Sequence, residues 1–152
     1  MGHVKGTIHV DAPAGEVLEF TADPHRWATF MAGMDEPDKI SGDGDVGTEA
    51  EFTLLMAGLA LPHETWRVVE ARRDPDGGGH RRLAIDGPLS GWQTWDCAPE
   101  SGGTLVTLEM ESTLPASVMG RVTDRLAGEK LLERDVRHSL ESMRLLAEWS
   151  PG

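Results

Sequence analysis

The side chains best suited to chemistry in this sequence lie on segments that alternate between apolar and polar residues. In the run His63-Glu64-Thr65-Trp66-Arg67-Val68, an inward Val68 places Trp66 and Glu64 on the same face of a strand and turns His63 and Arg67 to the other. In Gln93-Thr94-Trp95-Asp96-Cys97, the alternation that buries Cys97 directs Gln93 and Trp95 inward and leaves Thr94 and Asp96 outside. A third run carries Val106, Leu108, Met110 and Ser112 on one side. A carboxyl among apolar side chains is disfavoured in its charged form, so Glu64 is expected to have a raised pKa suited to proton transfer. Gln93 is placed to hydrogen-bond a carbonyl, and Glu64 and Gln93 are the candidate catalytic residues. Trp66 and Trp95 offer flat faces to an aromatic ligand, with stacking worth about 1 kcal/mol beyond burial, and Ser112 offers a further hydrogen bond. The competing reading is structural, with the tryptophans as core packing and Glu64 at a pocket mouth or in water.

Other chemical motifs fail on inspection. His63-Glu64-Thr65-Trp66-Arg67 begins like a zinc-protease helix, but Arg67 stands where the second His must be. Gly42-Asp43-Gly44-Asp45 lacks the remaining oxygen ligands of a calcium loop. The six histidines show no metal spacing, and Gly77-Gly78-Gly79 lacks the Lys-Ser/Thr of a phosphate loop. No metal, nucleotide or other cofactor is expected. Cys97 is the single cysteine, which excludes an intramolecular disulfide and reads as a buried thiol.

Positioning these side chains needs a core, and the composition supplies one: 152 residues with 39% hydrophobic and 26% charged side chains fit one globular domain over 1–152. A formal net charge of -12 argues against nucleic acid and against an acidic membrane surface as partners. Arg72-Arg73 and Arg81-Arg82 read as solvated strand ends beside a turn. The first residues lack the apolar core of a signal peptide, and no run is long enough to span a membrane, so a cytoplasmic protein without stable membrane insertion is expected. The sequence is silent on oligomeric state.

Val4, Ile8 and Val10 alternate with polar residues in a first strand. Asp11-Ala12-Pro13 reads as a cap for a short helix with Val17, Leu18 and Phe20, and Asp23-Pro24 as the start of a second, carrying Trp27 and Phe30. Strands follow over 48–56 with Ala50, Phe52, Leu54 and Met56 on one face, then over 63–72, 81–85, 92–98 and 104–114. From about Ser117 the period becomes 3.6, and Val118, Val122, Leu126, Leu132, Val136, Leu140, Met143 and Ala147 form the stripe of one long helix. A meander followed by one long helix implies an α+β helix-grip fold: a curved antiparallel β-sheet wrapped around the C-terminal helix, with two short helices after the first strand. The space between sheet and helix is the natural home of a small ligand. Trp27, Phe30, Phe52, Leu54, Met56, Trp66, Trp95, Met110 and Ser112 are expected to line it. On the first half of the helix, Met119, Val122, Thr123 and Leu126 join them, near Gly120 and Gly128.

The order of these segments resembles the START-like (Bet v 1-like) superfamily and, within it, the bacterial polyketide cyclase/dehydrase and lipid-transport group. The resemblance rests on Ile8-His9-Val10-Asp11-Ala12-Pro13, Ala22-Asp23-Pro24 with Trp27, Gly44-Asp45-Val46-Gly47-Thr48, Trp66-Arg67-Val68-Val69-Glu70, Gly102-Gly103-Thr104 and the terminal helix. It implies a helix-grip fold with a hydrophobic internal cavity. It leaves two activities open: assisting the cyclisation or dehydration of a polyketide-like or aromatic natural product, or carrying or sequestering a lipid, quinone or toxic metabolite. Aromatase/cyclases of the superfamily often rely on Tyr and Arg in the cavity, and this chain has no Tyr. A protein-binding role through the acidic surface ranks below both.

Overall fold

The computed structural model describes residues 2–122 and 125–149. Its elements in chain order are β1 (Gly2–Val10), α1 (Ala14–Ala22), α2 (Trp27–Phe30), β2 (Lys39–Ser41), β3 (Glu49–Met56), β4 (Leu59–Arg73), β5 (Gly79–Asp86), β6 (Ser90–Glu100), β7 (Gly103–Thr113), α3 (Ala116–Met119) and α4 (Arg125–Trp149). The strands form one antiparallel sheet in the order β1-β7-β6-β5-β4-β3-β2. The helix-grip arrangement read from the sequence is therefore the observed one, with α4 lying against the sheet on the side of β1.

Period-two burial is clean where the sequence alternates. Along β3 Ala50, Phe52, Leu54 and Met56 are buried, and along β7 Val106, Leu108, Met110 and Ser112. Leu132, Val136, Leu140 and Met143 of α4 recur at helical spacing and complete the core against these strands. Close approach of α4 to β1 depends on Gly6, where a Cβ would stand 3.0 Å from Leu140 Cδ1 and 3.1 Å from Val136 Cγ1. A larger residue there would push the helix off the sheet.

Several expectations need correction. The terminal helix does not begin near Ser117. Residues 116–119 form a separate turn behind Pro115, Gly120 ends it, and the long helix starts at Arg125. Its 25 residues span about 37 Å at a rise of about 1.5 Å each. Gly120 and β-branched Val122 are poor helix formers, which is where the continuous stripe breaks. Leu126, assigned to the buried stripe, is 58% exposed.

Strand β4 begins at Leu59, not His63, because Ala57 and Gly58 both adopt positive φ and close a two-residue hairpin. Ala-Gly lacks the Asn-Gly signature, so the turn is invisible to motif reading. The edge strand β2 is additional. Asp11 caps nothing: Pro13 is the N-cap of α1 and makes no side-chain bond, while the Asp11 N–H donates to Glu148 Oε2 at 2.8 Å. Helix α2 begins only at Trp27, after a turn through Pro24.

Arg81 is the largest departure. It is buried at 4% exposure rather than solvated, and its Nη2 donates to Leu18 O (3.0 Å) and Thr21 Oγ1 (2.9 Å). The guanidinium thus clasps the last turn of α1, where helix carbonyls and the helix dipole favour a cation. Arg82 on the other face does remain partly exposed, stacked over Trp92. No helix among the described residues is long and apolar enough to cross a membrane.

Candidate functional site

The inner face of the sheet carries a polar group in the middle of the core. Glu64 is fully buried at 0% exposure, and so is Gln93; Ser112 is 1% and Trp66 3% exposed. Strand register places Trp66 and Ser112 in one transverse row, three strands apart. Trp66 pairs with Ile85, Ile85 with Gly91, and Gly91 with Ser112, while Gln93 lies in the next inward row between Leu83 and Met110. Glu64 is the inward residue preceding Trp66 on β4.

Local backbone irregularity fixes Glu64. Pairing of β3 with β4 slips between Phe52 and Leu54, so that Pro62 and His63 stand opposite Thr53, and His63 takes a φ of 64°. This bulge restores the alternation that turns Glu64 inward. The loop 87–89 then closes over the carboxyl: the Leu89 N–H donates to Glu64 Oε1 at 3.1 Å, and Leu89 itself is buried at 2%. Gly87, at φ 132°, has no room for a side chain, since a Cβ would lie 2.5 Å from Glu64 Oε1 and 2.8 Å from His63 O.

Burial pushes the Glu64 carboxyl from its ordinary 4.5 up to about 8. The Leu89 N–H and the neighbouring Trp66 indole oppose the rise, and the Asp86 carboxylate adds to it. Glu64 is accordingly protonated at neutral pH. Gln93 Nε2 and Ser112 Oγ have no hydrogen-bond partner, whereas Glu64 Oε2 and Trp66 Nε1 make no close bond but face each other, the indole favouring the charged carboxyl. Gln93 is held through its other end, Oε1, which accepts the Trp95 Nε1–H at 2.8 Å. Buried polar groups are normally satisfied, so the free ends of Gln93 and Ser112 on the face that carries Glu64 mark a place that the core alone does not explain.

Apolar walls surround these groups. Phe52 meets Trp66 edge-on at 5.1 Å, and Phe30 meets Trp95 edge-on at 5.7 Å. The Trp27 Nε1–H is anchored on Thr21 O at 3.0 Å. Two internal voids of about 10 and about 20 Å³ adjoin, with Met31 and Trp66 lining both. Each has the volume of about one water molecule. The smaller is bounded by Gln93, Trp95, Trp27 and Phe30, and the larger by Leu54, Met56, Leu89, Met110 and the α4 residues Leu132, Asp135, Val136 and Ser139. Larger hollows lie at the surface, including one of about 640 Å³ bordered by Glu16, Asp23, His25 and Asp43, away from the inner face.

Of the residues expected to line the site, Trp27, Phe30, Leu54, Met56, Trp66, Gln93, Trp95 and Met110 border one or both voids, whereas Phe52, Glu64 and Ser112 are buried but border neither. Met119 and Leu126 stand apart on the surface at 43% and 58% exposure; Val122 is half-buried outside the voids. Thr123 falls outside the described residues. Sequence reading missed Leu89, Met31 and Asp135. Leu89 and Met31 sit in loops with no periodicity to follow, and Asp135 looks like one more charge on a helix until its burial is seen. That burial raises its pKa, against the pull of Arg134 and His138.

The description of polyketide cyclase/dehydrase and lipid transport fits the chain over residues 1–148. The chain belongs to that family. No curated protein sequence matches it. Among solved structures it is similar to TTHA0849 from Thermus thermophilus, with a TM-score of 0.75 and 20% identity over 97% of this chain and 99% of that one. It is also similar to the ZhuI aromatase/cyclase from Streptomyces sp. R1128, with a TM-score of 0.65 and 19% identity over 96% and 93%. The di-domain aromatase/cyclase BexL of the BE-7585A biosynthetic pathway gives a TM-score of 0.67 and 19% identity over 98% of this chain and 50% of that one. At these identities the structural likeness is one of fold. Family membership supports a role in binding a hydrophobic small molecule.

Proposed function

We propose that this protein binds a polyketide-like or aromatic natural product between the sheet and α4, and that Glu64 transfers a proton in its cyclisation or dehydration. The observation that carries this reading is the Glu64 carboxyl: wholly buried, held by one backbone N–H, pushed up to about 8 by that burial, and with its second oxygen making no close bond beside the Trp66 indole. A core residue in that position gains nothing from a carboxyl, whereas a general acid needs a proton to give and a pKa near the working pH. Gln93 would orient a carbonyl through its free amide, with Trp66 and Trp95 as the flat walls.

The voids are much smaller than such a ligand, so binding requires the interior to expand. Met31, Met34, Met56 and Met110 are the side chains suited to that, being unbranched and able to change rotamer at little cost. Incubation with candidate polyketides or quinones, with tryptophan fluorescence for binding and mass spectrometry for products, tests the reading. Turnover in wild type that is lost in Glu64→Gln supports it. Equal turnover in Glu64→Gln removes Glu64 as the proton donor, and saturable binding with unchanged compound favours a carrier.

A further inference from the structure

Arg81 is a buried cation with no anion paired to it among the described residues. Its guanidinium is 4% exposed and is held by neutral acceptors, both hydrogens of Nη2 going to Leu18 O and Thr21 Oγ1. Three more N–H donors remain on Nε and Nη1. Among the described residues none of these makes a hydrogen bond, and neither nitrogen is shut off from solvent. Glu19 and Asp45 act on Arg81 only from a distance, because both are paired with Arg73. Cys97 lies beside it, but burial pushes that thiol up to about 11, so it carries no charge at neutral pH. Buried charges are normally paired, and this one is left with donors to spare.

Arg81 borders a hollow of about 160 Å³ where the ends of β4 and β5 meet Leu18 of α1 and the loop at Gly44 and Asp45. Ala71 stands opposite Arg81 in the strand register and Arg73 opposite Gly79, so the four share one face of the sheet. Ala71 and Gly79 add little bulk, which leaves the two guanidinium groups on a common floor, repelling each other. Arg72 and His80 also border the hollow, each engaged with a carboxylate, Asp74 and Asp96. Asp45 sits on the rim at 67% side-chain exposure and 3.6 Å from Arg73, a loose pair on a surface loop. We propose that this hollow binds a phosphate group, free or as a monoester, with Arg81 on its floor and Arg73 at its rim in place of Asp45. A tetrahedral oxyanion has enough acceptor oxygens for both guanidinium forks, whereas a carboxylate fills one. None of the residues bordering the hollow borders either internal void, so the site is separate from the interior.

The test titrates inorganic phosphate and glycerol 1-phosphate into ¹⁵N-labelled protein at about 0.15 M sodium chloride, where long-range attraction is screened, and follows the arginine Nε–H resonances. Saturable shifts of Arg81 and Arg73 are expected with at least one of the two. Tighter binding of glycerol 1-phosphate assigns the site to a phosphorylated organic ligand, and tighter binding of phosphate to the free ion. Arg73→Gln should weaken binding at least about tenfold, the scale of one charge-assisted hydrogen bond. Ala71→Glu sets a carboxylate opposite Arg81, and should abolish binding and raise the melting temperature in chloride. Arg82→Ala removes a positive charge from the other face, beside Trp92, and should leave binding unchanged. Arg73 is 55% exposed, so Arg73→Gln decides the matter even if Ala71→Glu does not fold. Resonances unmoved by both compounds overturn the proposal. So does binding that survives Arg73→Gln at full strength, or that Arg82→Ala weakens as much, since either marks diffuse attraction to basic strand ends.

Discussion

Replacing Glu64 with Gln should make the protein more stable at alkaline pH and change it little in acid. The folded carboxyl titrates at about 8 against an ordinary 4.5, so between these values the native state binds a proton that the unfolded chain releases. Stability from this group is therefore fully present below pH 4.5 and is lost as the pH rises through about 8. At about 1.4 kcal/mol per unit the ceiling is about 5 kcal/mol. Local relaxation around the loop 87–89 would lower that to a few kcal/mol. The amide introduced by Glu64→Gln has the shape of the protonated acid and does not titrate. Urea unfolding of both proteins at half-unit steps from pH 4.5 to 9 isolates the group, because every other titration is common to the pair and cancels in the difference. The two should agree to within about 1 kcal/mol at pH 4.5, and the variant should lead by a few kcal/mol at pH 9. A difference that stays constant with pH, or a variant that is the weaker one at pH 9, would refute the claim that Glu64 is buried and protonated.

Other substitutions probe the frame around it. Gly87→Ala forces a Cβ against Glu64 and the His63 carbonyl at a backbone angle unfavourable to Ala; a loss of at least about 2 kcal/mol in denaturant unfolding is expected. Arg81→Met removes the clasp on α1 and should cost about 1.5–3 kcal/mol, the range for hydrogen bonds from a charged donor. Exchange protection of α1 amides should fall with it, and an unchanged α1 would show the clasp to be dispensable. Burial pushes the Cys97 thiol up to about 11, with Arg81 pulling the other way. At pH 8 it should resist iodoacetamide in the native protein and react at the ordinary rate once unfolded. Rapid labelling of folded protein would show that Cys97 is not covered.

The sheet and its inward face were legible because alternation is a one-dimensional signal. Once Val68 and Cys97 are assigned to the core, Glu64, Trp66, Gln93 and Trp95 follow by parity, and each is buried. That count stops short of the bulge at Pro62–His63, which no alternation announces and which lets Leu61 and Glu64 both face inward. What failed was information carried in three dimensions. Arg81 looks solvated beside Arg82, and only the arrival of α1 supplies its carbonyl acceptors. Leu89 lies between Pro88 and Ser90 in a turn, where nothing announces that its N–H will hold a carboxyl. The stripe from Val118 to Leu126 keeps helical spacing across Gly120, so periodicity alone ran one helix through a break. Void size is a property of packing, and no local pattern encodes that the interior closes to about 10 and 20 Å³.

The most direct test of an interior ligand site is the set of indole N–H resonances in a ¹⁵N-labelled sample, followed during titration with 9,10-anthraquinone. The indoles of Trp27, Trp92 and Trp95 already donate to Thr21, Glu111 and Gln93, and Trp149 is 85% exposed. Trp66 alone among them is buried without a close hydrogen bond, its indole lying beside the Glu64 carboxyl. Binding between sheet and helix predicts that the Trp66 resonance moves most and shifts downfield as its N–H gains an acceptor. A saturating titration that moves Trp149 or the amides around Glu16 and His25, and leaves Trp66 in place, would put the ligand on the surface and contradict the assignment of the site.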